Sequence, residues 1–145
     1  MIGLLQRVTE ASVNIDGDAV ASIDRGVAVL VGVQRDDDER KADRLLQRIL
    51  GYRIFGDENG RMNLSLRDIQ GGLLLVPQFT LAADTRKGMR PGFSSAAEPQ
   101  QGEAIFGYLT KQAQAQYHPI ACGVFGADMQ LALVNDGPVT FWLQS

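Results

Sequence analysis

The chain has 145 residues, of which 45% are hydrophobic and 21% charged, and a formal net charge of −3. That length suits one domain, expected over residues 1–145, which buries roughly 68–70% of its unfolded surface, and the composition excludes disordered, collagen-like and coiled-coil chains. The negative balance supplies no overall basic field to grip duplex phosphates, so DNA is not an expected partner.

The chain opens on MIGLLQRV, with no basic stretch ahead of a long apolar one, and so no visible signal peptide. Cytoplasm is the expected compartment. Strands are predicted at Ile2–Val8 and Ala11–Ile15, followed by an Asp16-Gly17 hairpin turn, because both turn positions tolerate positive φ. A strand returns through Val20 and Ile23 and breaks at Gly26. Val27–Val33 is short and rich in β-branched residues, the pattern of a fully buried strand. It is the longest apolar run and far below the ~20 residues of a membrane-spanning helix, so no membrane partner is expected.

Asp36-Asp37-Asp38-Glu39 opens a helix, since acids favour the free N–H groups and dipole of a helix N-terminus. Ala42, Leu45, Leu46, Ile49 and Leu50 then form one apolar stripe, and Gly51 is the stop. The acidic run reads as a cap rather than a metal site. Tyr52–Phe55 is a predicted short strand, Gly56–Gly60 a polar turn, and Leu73–Val76 a second buried strand. Ala82–Ser95 has no periodicity, and loops of this length in a small domain are often functional. A helix is predicted from Pro99 to about Tyr117, with Ile105, Tyr108, Leu109 and Ala113 facing inward. Three strands follow, Ile120–Phe125, Met129–Val134 and Val139–Leu143, the last two joined by Asn135-Asp136-Gly137-Pro138. The fold class is α+β: mostly antiparallel sheet forming a barrel-like core, with two main helices.

Standard catalytic signatures are missing: no Walker loop, no G-x-G-x-x-G, no H-E-x-x-H and no C-x-x-C. Gly92-Phe93-Ser94-Ser95-Ala96 misses the serine-hydrolase elbow at its last position. The only histidine, His118, sits at a helix end, where a dipole partner is the ordinary role. The only cysteine, Cys122, excludes an internal disulfide and a cysteine-cage zinc site, and reads as a small core residue. Asp57, Glu58, Asp128 and Asp136 fall in turns. No metal and no cofactor are expected. Three cations, Arg86, Lys87 and Arg90, cluster in the aperiodic segment, and of the 14 basic residues most are Arg, which suits bidentate phosphate contacts. The cluster reads either as a grip on a nucleic-acid end or as a solvated loop. Gln78, Phe79 and Thr80 read as an ordinary strand end, with Gln78 and Thr80 on one face and Phe79 on the other.

Several short segments, in order and spacing, resemble the D-aminoacyl-tRNA deacylase family along the whole chain. They are Gln6-Arg7-Val8, Arg53-Ile54-Phe55, Met62-Asn63-Leu64, Gln78-Phe79-Thr80-Leu81, Lys87-Gly88 with Arg90-Pro91 and Phe93, Phe125-Gly126-Ala127-Asp128-Met129, and Asn135-Asp136-Gly137-Pro138-Val139-Thr140. The resemblance implies hydrolysis of the ester between a D-amino acid and tRNA, in a homodimer with active sites at its interface. It implies that Gln78, Phe79 and Thr80 form the catalytic stretch at the terminal adenosine and ester. It also implies that Gly137-Pro138 is cis and reaches into the partner's site, fixed by Arg7, with Phe125 and Met129 also binding substrate. Arg86, Lys87 and Arg90 would contact tRNA. One departure is Pro77, where the family usually has Ser, so no serine nucleophile can act at that position.

The chemistry suits a chain without an obvious base. An aminoacyl ester is already activated, so positioning and backbone donors to the oxyanion can supply much of the catalysis, and the neighbouring ribose hydroxyl can assist water. The rival mechanism uses Thr80 as a nucleophile and requires an activating base, for which the sequence offers no candidate. The rival function is a non-catalytic dimeric module that holds an adenosine end or a small metabolite.

Overall fold

The computed structural model describes residues 1–145 and is organised around one long strand, β1 (Ile2–Ile15). A positive-φ turn at Asp16 and Gly17 leads into β2 (Asp18–Ile23), and β3 (Gly26–Gly32) follows. Along one edge, the first half of β1 pairs antiparallel with β3 and the second half with β2. The other edge is taken along almost its full length by β8 (Gln130–Gln144). Two parallel strands, β6 (Gly72–Pro77) and β7 (Ile120–Cys122), extend the sheet beyond β3. β2 in turn touches β6 and β7, which curls the sheet into a nearly closed barrel. A two-stranded ribbon, β4 (Phe55–Gly56) with β5 (Met62–Leu64), stands apart.

Both faces of the central strands are covered, which explains their uninterrupted apolar sequences. Val27, Val29, Val31, Leu73 and Leu75 face the helices, while Ala28, Leu74 and Val76 belong to a second cluster with Val8, Val13 and Ile23. The helical layer is α1 (Glu39–Gly51), the short α2 (Leu66–Ile69) and α3 (Pro99–Gln116). The predicted stripe of α1 is fully buried, and Asp38 is its N-cap, accepting from the Lys41 amide at 2.9 Å. Asp37 does something else: it is buried and takes the Met1 ammonium at 2.6 Å and the Gln34 amide at 2.6 Å. Removing one partner of a buried pair of this kind costs about 3–5 kcal/mol.

Four sequence expectations change. Ile2–Val8 and Ala11–Ile15 are one strand, because the irregularity near Thr9 is a bulge within a ladder and not a break. Met129–Val134 and Val139–Leu143 are likewise one strand, so Asn135–Pro138 is not a hairpin turn. The Tyr52–Phe55 strand shrinks to Phe55–Gly56, and Ile120–Phe125 ends at Cys122. α2 was not anticipated. It forms because Ser65 and Asp68 cap each other, with the Ser65 amide on Asp68 at 2.8 Å and the Asp68 amide on Ser65 Oγ at 3.3 Å. In α3 the buried residues are Gly102, Phe106, Leu109 and Ala113, while Ile105 and Tyr108 pack at its margin. No helix is long and apolar enough to cross a membrane.

Candidate active site

β6 ends at Pro77, which pairs with Val31, and the Gln78 amide donates to the Val31 carbonyl at 2.8 Å. The chain then tightens into a 3-10 turn, Phe79–Ala82. This turn lies directly on the end of β3. A Cβ on Gly32 would stand 2.9 Å from the Leu81 Cβ, so only glycine allows the approach. Strand alternation therefore does not govern Gln78–Thr80. Gln78 and Thr80 meet through the turn, where the Gln78 amide Nε2 donates to Thr80 Oγ1 at 2.5 Å. A hydroxyl that accepts in this way keeps its own proton for donation. An amide N–H beside it cannot remove that proton, so Thr80 has no base among its hydrogen-bond partners. The Phe79 and Thr80 amides precede the first bond of the turn, Leu81 to the Gln78 carbonyl at 3.2 Å, and so find no acceptor inside it.

Gln78 and Phe79 form one lip of a cavity of about 510 Å³ that also holds Pro77, Phe125 and Met129. Its far wall comes from elsewhere: Leu30, Leu131, and Gly102 and Phe106 of α3. Gly102 is small enough for Phe125 to approach, since a Cβ there would lie 3.2 Å from the ring. Phe106 and Phe125 stack obliquely with centroids 6.4 Å apart. Sequence reasoning missed this wall; Phe106 lies three residues before Leu109, so a stripe taken one residue later would have included it. A wider groove of about 770 Å³, between Glu10–Ser12, Ser22–Arg25, Ile69–Gly72 and Pro119, contains none of the residues singled out above.

Gly137, Pro138 and Arg7 lie away from that cavity, on the β1–β8 pair. Gln6 pairs with Thr140 and Val8 with Asn135, so Arg7 alone faces Asp136–Val139 and the extra residues of β8 bulge outward. Asn135 closes the neck of the bulge, donating to Thr140 Oγ1 and accepting from the Val139 amide, both at 2.8 Å. Arg7 holds its base. Its Nε donates to the Asp136 carbonyl at 3.0 Å and its Nη1 to the Ile54 carbonyl at 2.7 Å. Gly137 has φ +136°, and a Cβ there would fall 2.7 Å from Val139 Cγ2 and 3.1 Å from Arg7 Nη2. The Gly137–Pro138 bond is cis, as is His118–Pro119, which sequence reading did not foresee. Gly137 and Pro138 are both exposed.

The basic segment is less uniform than its sequence. Arg86 is committed to Asp84 through Nη2–Oδ2 at 2.7 Å and Nε–Oδ1 at 2.9 Å. The Arg86 side chain and amide bonded to Asp84 hold that carboxyl well below the usual carboxylate range, against the opposing effect of burial. Lys87 and Arg90 are exposed and make no ion pair. Other residues weighed earlier have structural roles. Ser95 is tied to the Ala82 carbonyl, Asp57 to Asn63 and the Asn59 and Arg61 amides, and burial pushes the half-buried Cys122 thiol up. His118 is exposed beyond the end of α3.

The family model described as D-Tyr-tRNA(Tyr) deacylase matches residues 4–144. A D-aminoacyl-tRNA deacylase of Stutzerimonas stutzeri is 61% identical over 145 residues, covering all of both chains. One of Alkalilimnicola ehrlichii is 63% identical over 145 residues, covering all of this chain and 97% of its own. Among solved structures, the c-Myc DNA Unwinding Element Binding Protein superposes with a TM-score of 0.95 at 38% identity, covering 100% of this chain and 99% of that one. A probable eukaryotic D-amino acid tRNA deacylase shares the fold at a TM-score of 0.82 and 17% identity, covering 99% and 98%. With a match from Leu4 to Gln144 and these full-length relatives, the chain belongs to the D-Tyr-tRNA(Tyr) deacylase family.

Proposed function

We propose that this protein hydrolyses the ester of D-aminoacyl-tRNA, releasing free D-amino acid and tRNA, and so proofreads chirality during translation in the cytoplasm. The observation that carries this reading is the full-length family match, with Gln78 and Phe79 at the mouth of an apolar cavity and Thr80 bonded to Gln78 just outside its lining. The terminal adenosine and the ester occupy that mouth. Water adds to the ester carbonyl carbon, the bond to the ribose oxygen breaks, and that oxygen leaves as a hydroxyl. The Phe79 and Thr80 amides and the Thr80 O–H donate to the developing oxyanion. The free ribose hydroxyl beside the ester assists the water, which is consistent with Thr80 being bonded only to a donor amide.

The working unit is a homodimer, and two features support it. The cross-strand row Val76–Leu30–Leu4–Trp142 runs from the cavity wall out to a Trp142 that is half exposed. The Gly137-Pro138 bulge is exposed and shares no cavity with Gln78–Thr80 of its own chain. In the dimer this bulge enters the partner's cavity and presents backbone to the amino acid's α-carbon. A D side chain points to open space and an L side chain into that backbone. Glycine has no side chain to exclude, so Gly-tRNA is cleared as well. Incubating the protein with D-Tyr-tRNA and following ester loss tests the reading. Release of D-tyrosine is expected. Stoichiometric binding with the ester left intact would identify the non-catalytic binding module instead.

A further inference from the structure

The exposed aromatic side chains beside the cavity are not explained by a site that holds only one nucleoside. Phe79 is 58% exposed and Phe93 is 42% exposed, yet their rings pack with centroids 5.3 Å apart and a 45° tilt. Phe79 belongs to the cavity lip; Phe93 does not line the cavity. The pair is therefore a step leading away from the rim.

The step is held in place. Asp84 and Gly92 exchange two backbone hydrogen bonds of 2.7 and 3.0 Å, which closes the loop between them and fixes the residue immediately before Phe93. Ser95 Oγ ties the far side to the Ala82 carbonyl at 2.8 Å, and Ala82 ends the same 3-10 turn that carries Phe79. The closed loop is also the basic one. Asp84 neutralises Arg86, which leaves Lys87 and Arg90 as exposed cations with no carboxylate partner. Two exposed ring faces joined through Gly92 to a closed loop that carries two unpaired cations are chemically complementary to a nucleobase and its phosphate. Every base has a π-face to stack, and the phosphate supplies the missing negative charge. An apolar peptide would leave both cations unanswered.

Resting on the deacylase reading above, we propose that Phe79 and Phe93 form a stacking step for the nucleobase that precedes the terminal adenosine, with Lys87 and Arg90 on the adjoining phosphate. The adenosine and its ester occupy the cavity mouth, and the strand leaves over Phe79 onto Phe93. The second base of the acceptor end thus contributes to binding without touching the reacting atoms.

The test compares two substrates: intact D-Tyr-tRNA, and the D-tyrosyl ester of adenosine, which lacks the second nucleotide. Phe93→Leu keeps apolar bulk but loses the ring face. Its KM for D-Tyr-tRNA is expected to rise roughly 10- to 100-fold, as loss of a base–aromatic stack does, with kcat little changed. Activity on the adenosine ester should change far less, and Phe93→Trp should restore the tRNA value. D-Tyr-tRNA made abasic at the penultimate position should show the same loss with the unaltered protein, and no further loss with Phe93→Leu. Equal losses on both substrates would overturn the proposal; with a shift in oligomeric state, they would place Phe93 under the partner subunit. Fully additive losses, or an unchanged KM for tRNA, would also overturn it. Failure of the deacylase reading would look different, because the unaltered protein would then hydrolyse neither substrate.

Discussion

Arg7 offers the sharpest separation of function from folding. Arg7→Met keeps most of the side-chain length and removes both donors, the one to the Asp136 carbonyl at 3.0 Å and the one to the Ile54 carbonyl at 2.7 Å. Hydrogen bonds from a charged donor contribute roughly 1.5–3 kcal/mol each. Asp136 is 45% exposed at its side chain, so its ion pair with Arg7 at 3.3 Å adds little beyond the carbonyl bond. The Asn135 clamp survives the substitution, so the bulge loosens at its base without opening. About 3 kcal/mol of positioning is lost, or roughly 100-fold in kcat/KM for D-Tyr-tRNA. Because a loosened bulge also screens less well, the ratio of D- to L-Tyr-tRNA turnover should fall. Arg7→Lys should recover only part of both, since one ammonium cannot reproduce the guanidinium fork. Single-turnover deacylation on the two substrates reads the effect, and thermal melting reads the fold. A lowered melting temperature with an unchanged D-to-L ratio would make Arg7 a structural residue and refute the reasoning.

Three further outcomes are expected. Gly137→Ala forces a side chain onto a φ of +136° and against Val139 and Arg7, and should lower kcat/KM about 10- to 100-fold in the same assay; full activity would remove the bulge from the site. Thr80→Ser should be mild, whereas Thr80→Val should cost about 10- to 100-fold; a trapped acyl-Thr80 species by mass spectrometry would reverse the mechanism, as would undiminished turnover of a substrate lacking the free ribose hydroxyl. Asp84→Asn frees Arg86 for phosphate and should steepen the log–log salt dependence of tRNA binding by about 0.7, the value for one single-strand contact. Because the bound Arg86 lowers the folded pKa of Asp84, the pairing is present above the ordinary carboxylate range and is lost only as pH falls through the lowered value. The unaltered protein should accordingly keep one salt slope between about pH 8 and pH 5, and a slope that steepens within that window would contradict the pairing.

Local pattern revealed those elements whose partners are all apolar. The α1 stripe and the two-faced β3 and β6 strands were legible because burial alone dictates them. β1 and β8 were each divided in two because Thr9-Glu10 and Asn135–Pro138 carry the residues of breaks and turns. Only the opposite strand, more than a hundred residues away, converts them into bulges within a continuous ladder. The 3-10 turn was missed for a similar reason: it depends on the absence of a Cβ at Gly32, a distant residue. At the site, Gln78, Phe79, Phe125 and Met129 were identified through resemblance, and the cavity brings them together. Leu30, Leu131 and the Gly102–Phe106 face of α3 belong to the same wall but come from three separate elements whose meeting no local spacing encodes. The Arg86–Asp84 pair shows the opposite error, a charge cluster read over too short a window.

Handedness is the most direct test of the site. D-Tyr-tRNA and L-Tyr-tRNA, prepared from the same tRNA and mixed with excess protein, should separate clearly, with the D-ester hydrolysed and the L-ester surviving at its spontaneous rate. Equal rates on the two, or no enzymatic hydrolysis of either, would contradict it.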